Sequence, residues 1–185
     1  MKQFVLSLAV LSGLLLYTQC YADSFVLSSP QVAEGGTLSQ DQVLNGFGCS
    51  GKNISPELNW SGEPAQTKSF ALTVYDPDAP TGSGWWHWVV FNVPASAHSL
   101  ALNSGSSSND LLPQGTVQSR TDFGAAGYGG ACPPEKDSAH HYEFTVWALD
   151  VDTLPLDANA SAAMVGFFLR QHELGHTVLT ATYDR

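Results

Sequence analysis

Residues 74–90 read Val-Tyr-Asp-Pro-Asp-Ala-Pro-Thr-Gly-Ser-Gly-Trp-Trp-His-Trp-Val-Val, and this stretch joins two strand-like segments. The apolar run that leads into it ends at Asp76, where two prolines remove backbone donors and stop a regular strand ladder. A short Gly-Ser-Gly link follows, and the strand pattern resumes at Trp85. The sequence therefore predicts two carboxylates, Asp76 and Asp78, across a short loop from His87, which makes a small polar site on a rigid frame.

The two aspartates allow two interpretations. In a Pro-rich turn an Asp side chain most often accepts from its own backbone, and its role is then purely structural. However, Trp85, Trp86 and Trp88 surround His87 in the sequence, and aromatic walls with a few converging polar groups are typical of a ligand pocket. Both interpretations remain open at this point.

Residues 1–22 have the features of a secretory signal peptide. A positive charge precedes an apolar segment over residues 4–16, and Cys20-Tyr21-Ala22 supplies the cleavage site. The apolar segment is too short to span a bilayer comfortably, so no stable membrane insertion is expected.

A lipid anchor on Cys20 is the alternative to cleavage after Ala22. The residues before this cysteine, Tyr17-Thr18-Gln19, differ from the small and aliphatic residues that usually lead into a lipid-modified cysteine. We therefore expect an exported protein, periplasmic or secreted beyond the periplasm, with one domain over residues 23–185.

The predicted domain is strongly acidic. The whole chain carries 17 Asp and Glu against 7 Lys and Arg, a formal net charge of −10. One of the basic residues, Lys2, lies in the predicted signal peptide, so its removal would make the charge one unit more negative. This charge opposes sequence-independent attraction to nucleic acids or anionic lipid surfaces, and no nucleic-acid partner is expected.

Two cysteines, Cys49 and Cys132, remain in the predicted domain. In an exported protein such a pair favours a disulfide. A metal site formed by the two thiolates and a nearby histidine is the alternative, although nothing has zinc-motif spacing.

Four segments have strand patterns: residues 68–75, 86–93, 140–149 and 177–183. In the second segment a period of two places five residues on one face, namely Trp85, His87, Val89, Phe91 and Val93. Both of its faces are largely apolar, so this strand is expected to be central and covered on both sides. In the third segment, His140 and Tyr142 stand at the start of an apolar face and again suggest a pocket.

Residues 157–174 form the one convincing helix pattern, with Asn159 or Ser161 as its cap and Gly175 at its end. Gly166 inside this helix is expected to allow close packing on a strand. A strand-rich chain with one clear helix predicts a mainly β fold, a sandwich with one or two peripheral helices.

Residues 124–134 are dense in glycine and end in Cys-Pro-Pro. Exposed amide hydrogens in such a loop can form an anion nest. An irregular loop held by the disulfide is an equally good interpretation. The earlier glycine-rich segment, residues 45–51, lacks the lysine of a phosphate-binding loop and does not support nucleotide binding.

Six motifs occur along the chain in this order: Asn53-x-Ser55-Pro56-x-Leu58-x-Trp60, Lys68-Ser69-Phe70-Ala71-Leu72, Asp76-Pro77-Asp78-Ala79-Pro80, Trp86-His87-Trp88-Val89-Val90-x-Asn92, Cys132-Pro133-Pro134 and His140-x-Tyr142. This order resembles the phosphatidylethanolamine-binding protein family, also called the Raf kinase inhibitor family, and most of all its exported bacterial branch. The resemblance covers essentially all of residues 23–185.

The resemblance implies a phosphatidylethanolamine-binding-protein-like β-sandwich with a small pocket for phosphate-like anions and phospholipid head groups. The family's pocket positions correspond here to Asp76, Asp78, His87, Pro134, His140 and Tyr142. Trp85 is expected to form a wall of this pocket, rather than Trp86, because it shares a strand face with His87.

Three hypotheses about function follow. The favoured one is a binding module without metal or cofactor, in which His87, His140, the Tyr142 hydroxyl and loop amides hold a phosphate or phosphoethanolamine-like group. Asp76 and Asp78 would then orient the histidines and raise their pKa, or accept from a ligand ammonium group.

The second hypothesis is a periplasmic hydrolase of a small phosphate ester, although no Gly-x-Ser-x-Gly elbow is present. The third is a protein-interaction factor with a vestigial pocket, which acts on a kinase or signalling protein of another, host cell. A homodimer is left open.

Overall fold

A computed structural model of the protein describes residues 24–185, so the predicted signal peptide and Asp23 lie outside the described residues. The described residues form ten strands and one α-helix in this order: β1 Val26–Ser28, β2 Asn45–Gly46, β3 Cys49–Ser50, β4 Leu58–Ser61, β5 Ser69–Asp76, β6 Trp85–Pro94, β7 Ser99–Leu100, β8 Val117–Gln118, β9 His140–Leu149, α1 Ala162–His172 and β10 Glu173–Tyr183.

Two antiparallel sheets form the body of the molecule. The larger sheet has the strand order β10-β9-β5-β6-β8, and the smaller has the order β1-β4-β7, while β2 and β3 make a separate hairpin. The mainly β fold predicted from the strand patterns is confirmed, and α1 is the one helix in the described part of the chain.

The main core lies between the two sheets. Alternate residues of β5, such as Phe70 and Leu72, meet Leu58 and Trp60 from β4, and all four are almost fully buried. The inward positions of β9 predicted from the period of two, among them Tyr142 and Phe144, belong to the same core. Burial of each such side chain stabilises the fold by roughly 1.5–3 kcal/mol before entropy is counted.

A second core covers the outer face of the larger sheet. Helix α1 buries Ala162, Val165 and Leu169 against residues of β5, β6 and β9, including Val89 and Phe91. Strand β6 is therefore covered on both sides, as its apolar faces predicted.

Two irregularities in β6 overturn the predicted single face. Opposite β5, Trp88 pairs with Val74 and Trp86 pairs with Tyr75, so His87 is an extra residue that forms a β-bulge. The side chains of Val89 and Phe91 consequently lie on the helix side of the sheet, and their predicted position beside His87 is wrong. A second bulge at Asn92, whose φ is +59°, returns Val93 to the core between the sheets.

The helix is shorter than predicted. Ser161 caps it by accepting a hydrogen bond from the Met164 amide at 3.2 Å, as one of the two predicted caps. It ends at His172 rather than near Gly175, because β10 begins at once and pairs with the end of β9. A Cβ atom at Gly166 would have no neighbour within 4 Å, so the predicted close packing there is wrong.

Candidate functional site

A cavity of about 170 Å³ opens at the end of the sandwich where β5 ends and β6 and β9 begin. Drug-sized ligands usually occupy roughly 300–1,000 Å³, so this cavity has room for one small group. Six of the seven site residues predicted from the sequence line it, namely Asp76, Trp85, His87, Pro134, His140 and Tyr142.

The strand register explains why these residues meet. Asp76, the last residue of β5, lies opposite Trp85, the first residue of β6. On the other side of β5, Tyr75 lies opposite Glu143, which places the start of β9 beside Asp76. The inward positions of β9 nearest this end are His140 and Tyr142, and both are buried.

Asp76 is the hub of the site and is only 3% exposed. Its Oδ1 accepts hydrogen bonds from the amides of Asp78 and Ala79 at 2.9 and 3.0 Å. Its Oδ2 accepts a hydrogen bond from Nδ1 of His140 at 2.8 Å. The two interpretations of this aspartate are therefore compatible, because one oxygen holds the turn and the other faces the cavity.

His87 has a defined tautomer. Its Nδ1 lies 2.8 Å from the Gly129 carbonyl oxygen, which can only accept, so the ring carries a proton on Nδ1. Its Nε2 lies 4.0 Å from Oδ2 of Asp76. Burial lowers the pKa of His87 and outweighs the Gly129 carbonyl and the Asp76 charge, which raise it. Asp76 therefore raises the pKa of this histidine, as expected, but burial has the larger effect and the net shift is downward.

Tyr142 contributes an unsatisfied hydroxyl. The ring meets His87 edge-on, with 5.1 Å between ring centroids. Within residues 24–185 the buried hydroxyl has no partner in hydrogen-bonding geometry, although the Cys132 amide and the Asp76 carboxylate are close enough to influence its pKa. Burial is the main cause that raises this pKa, so the hydroxyl keeps its proton. Such a group normally has a partner, and here a ligand is the obvious candidate.

Asp78 does not line the cavity. Its Oδ2 accepts hydrogen bonds from the amide and from Nδ1 of His141, at 2.8 and 2.7 Å, and its side chain is 42% exposed. The hydrogen bonds from His141 lower the pKa of Asp78. Asp78 thus orients His141 on the surface, whereas the sequence suggested that it orients His87 or His140.

The glycine-rich loop uses its amides for structure. The amide of Gly129 donates to the His87 carbonyl at 2.8 Å, that of Gly130 to Asn53 Oδ1 at 2.7 Å, and that of Ala131 to the Gln42 carbonyl at 3.1 Å. A Cβ atom at Gly130 would come within 2.4 Å of the Gln42 carbonyl oxygen, which explains the glycine. These amides are therefore not free to form the anion nest that the sequence suggested.

Cys49 and Cys132 form a disulfide, as predicted from their number and the expected export, with 6.0 Å between their Cα atoms. The bond holds the β2–β3 hairpin beside the cavity and brings Phe47, which is 72% exposed, to its rim. Phe47 stacks on Phe123, a second lining residue, with 5.8 Å between ring centroids.

Neither phenylalanine was predicted from the sequence as a site residue. Phe47 lies two residues from Cys49, so the predicted disulfide was a signal that pointed to it. No sequence pattern pointed to Phe123.

Residues 24–185 contain no cluster of three or more His, Cys, Asp or Glu side chains arranged to hold a metal ion. None of the helical segments described there has the length and apolar character needed to cross a membrane.

Comparison with known proteins gives consistent relatives. The family model for phosphatidylethanolamine-binding proteins matches residues 28–184. UPF0098 protein YbcL of Escherichia coli K12 is 50% identical over 163 residues, which cover 88% of this chain and 89% of YbcL. UPF0098 protein YbhB of the same organism is 50% identical over 158 residues, which cover 85% of this chain and 99% of YbhB. A Mycobacterium tuberculosis relative, provisionally named lipoprotein LppC, is 32% identical over 163 residues, which cover 88% of this chain and 74% of that protein.

A solved structure of one of these relatives has the same fold. The crystal structure of E. coli YbcL, described as a new member of the mammalian PEBP family, matches with a TM-score of 0.86 at 50% identity. The match covers 87% of this chain and 98% of the YbcL chain.

Proposed function

The chain belongs to the phosphatidylethanolamine-binding protein family, and from this premise we propose that it is an exported bacterial binding protein whose cavity holds a phosphate-like head group. One observation carries the proposal: the buried Tyr142 hydroxyl has no protein partner in the described chain and shares a small cavity with two histidines. A ligand oxygen that accepts from this hydroxyl would satisfy it.

The size of the cavity supports a head group and not a whole lipid. About 170 Å³ accommodates a tetrahedral oxyanion, while a larger remainder of the ligand would extend past the exposed Phe47 and its neighbour Phe123. His87 and Tyr142 would contact the oxyanion. The half-exposed Asp137 carboxylate, 3.6 Å from Nε2 of His140, suits a ligand ammonium group at the mouth.

Export is part of the proposal. The signal-like pattern of residues 1–22, the Cys49–Cys132 disulfide and the lipoprotein name of one relative support a periplasmic or secreted protein. In that location its protein partner would be a signalling protein of a host cell and not a cytoplasmic kinase of the producing cell.

Calorimetric titration of the protein with phosphate and with O-phosphoethanolamine tests the proposal. We expect binding by the native protein and a loss of about tenfold or more in affinity in His87→Ala, because a hydrogen bond to a charged group contributes roughly 1.5–3 kcal/mol. Asp150→Asn is the matched control, since it removes an acidic charge from an exposed Asp–His pair away from the cavity. Unchanged affinity in folded His87→Ala and His140→Ala would exclude this site.

A hydrolase is the second candidate, and one observation favours it. The bond between Asp76 Oδ2 and Nδ1 of His140 has the geometry in which a carboxylate orients a general base. Turnover of p-nitrophenyl phosphate that disappears in His140→Ala would support the enzyme over the binding protein. If the protein binds no oxyanion and turns over no ester, the interaction-factor hypothesis becomes the leading one.

A further inference from the structure

The cavity has more acceptors than donors among its buried polar side chains. The one proton of neutral His87 is committed to the Gly129 carbonyl, so its Nε2 is an acceptor. Asp76 presents Oδ2, also an acceptor, 4.0 Å from that nitrogen. Tyr142 supplies the free donor. Two acceptors therefore face each other with no hydrogen atom between them.

A fully ionised oxyanion fits this arrangement poorly. All of its oxygens are acceptors, and one of them would lie against the Asp76 carboxylate and the Nε2 lone pair of His87. An oxyanion that keeps one O–H donates that proton to either acceptor, and its other oxygens remain free to accept from Tyr142.

We propose that the cavity selects oxyanions that bring their own proton, namely hydrogen phosphate and singly protonated phosphate monoesters, over sulfate and sulfate esters. This inference rests on the proposed function and adds to it the protonation state of the ligand. Phosphate monoesters keep one proton below a second pKa near 6, whereas sulfate esters have no proton to give near neutral pH.

The proton between Asp76 and His87 could instead come from solvent, by protonation of the His87 ring. The surroundings of the ring decide between this source and the ligand. Asp76 faces the ring from β5, Tyr142 from β9, and the Gly129 carbonyl and the Phe123 ring from the loop before β9. The charge of Asp122 acts from farther away, while His140 is bonded to Asp76 and near Asp137. Burial is the dominant influence and lowers the pKa of His87, so the ring takes up a proton from solvent with difficulty. The proton between Asp76 and His87 therefore comes more readily with the ligand.

The test compares O-phosphoethanolamine with its sulfate counterpart, 2-aminoethyl hydrogen sulfate, by calorimetry at about pH 5.5, 6.5 and 7.5, on both sides of the phosphate pKa near 6. Both probes carry the same ammonium group and differ in the available proton. We expect the phosphate ester to bind at least about tenfold more tightly at the middle pH, since one charge-assisted hydrogen bond distinguishes them. Its affinity is expected to fall further toward the highest pH as the singly protonated form is depleted.

The possible failures are distinguishable. Equal affinities of the two esters at all three pH values would overturn the selectivity and leave the proposed binding function intact. Binding of neither ester would overturn both.

Two variants assign the selectivity to atoms. Asp76→Asn keeps an oxygen for the two turn amides and replaces Oδ2 by a donor, which leaves Nε2 of His87 to accept the ligand proton, so we expect the preference for the phosphate ester to shrink. Tyr142→Phe removes the donor that both esters use, so both affinities fall and their ratio stays.

Asp150→Asn, which changes an exposed Asp–His pair away from the cavity, is the control and should change neither affinity. A folded Asp76→Asn protein with an unchanged ratio would overturn the assignment. If this variant does not fold, the pH series on the native protein still decides the question.

Discussion

Two aspartate–histidine pairs lie side by side at the same strand ends, Asp76 with His140 and Asp78 with His141. Their hydrogen bonds are nearly equal, 2.8 and 2.7 Å between oxygen and Nδ1. Their exposure differs: both side chains of the first pair are 4% exposed, while those of the second are 42% and 55% exposed. Asp76 also holds two turn amides and faces the cavity, whereas Asp78 also bonds one amide at the surface.

The comparison shows that residue type and distance do not determine the role of such a pair. At the surface, water replaces a lost partner, and an exposed ion pair contributes about 0–1 kcal/mol. In the interior no water replaces the partner, so the buried pair of Asp76 and His140 is difficult to break. The lone pair of Asp76 Oδ2 that His140 does not use remains available on the cavity side.

The largest expected effect comes from truncation of the two aspartates. Asp76→Ala leaves the amides of Asp78 and Ala79 and the ring of His140 without their acceptor, so we expect a loss of about 3–5 kcal/mol in the free energy of unfolding. Asp78→Ala should lower it by at most about 1 kcal/mol, since its partner is exposed. Urea denaturation of both variants measures the difference, and similar losses would contradict the comparison.

Acidification is expected to affect the two regions in separate pH ranges. Burial lowers the pKa of His87 from its ordinary value of 6.5, so its folded form resists protonation while the unfolded chain takes up a proton. Stability from this source is complete above 6.5 and falls below it, by up to about 1.4 kcal/mol per pH unit until the folded pKa is reached. The lowered pKa of Asp78 affects stability at lower pH. The contribution of Asp78 to stability is present above pH 3.8 and is lost as the pH falls further.

Unfolding experiments across this pH range distinguish the two contributions. His87→Gln should flatten the upper part of the profile, and Asp78→Asn should flatten the lower part. A profile that His87→Gln leaves unchanged below 6.5 would mean that burial of this ring is not what resists the proton.

The sequence predicted the strands of this region well, because unbroken alternation specifies them. Residues 140–149 were predicted as a strand and are β9. The same alternation, continued from Phe70 and Leu72 of β5, points Asp76 inward. Beyond it the turn breaks the period of two, so nothing local distinguished the outward Asp78 from its neighbour.

Other features depended on contacts distant in the sequence. The bulge at His87 arises from the register of β6 on β5, and a period of two assumes that no residue is extra. The early end of α1 likewise follows from the pairing of β10 with β9, which overrides the glycine signal at Gly175. The unsatisfied Tyr142 hydroxyl is invisible in any sequence pattern, because it concerns an absent partner.

Two buried tyrosines, Tyr128 and Tyr142, differ in whether the hydroxyl has a hydrogen-bond partner within the described chain. The hydroxyl of Tyr128 donates to the Gln42 carbonyl at 2.9 Å, whereas that of Tyr142 has no partner in the described chain. We expect Tyr128→Phe to lower the free energy of unfolding by about 1 kcal/mol, and Tyr142→Phe to leave it unchanged or raise it by up to about 1 kcal/mol. Urea denaturation without added ligand measures both, and an equal loss would show that the Tyr142 hydroxyl already has a partner.

The smallest expected effect is that of salt on the two aspartate–histidine pairs. Double-mutant cycles with alanine, followed by urea denaturation, give the coupling free energy within each pair. For Asp78 and His141 we expect a coupling below about 0.5 kcal/mol that vanishes near 1 M salt, where charges are screened beyond about 3 Å. For Asp76 and His140 the coupling should persist, because the salt ions do not reach a buried pair. If the coupling of the exposed pair also survives salt, hydrogen bonding rather than charge holds it, and access to water no longer explains why the two pairs differ.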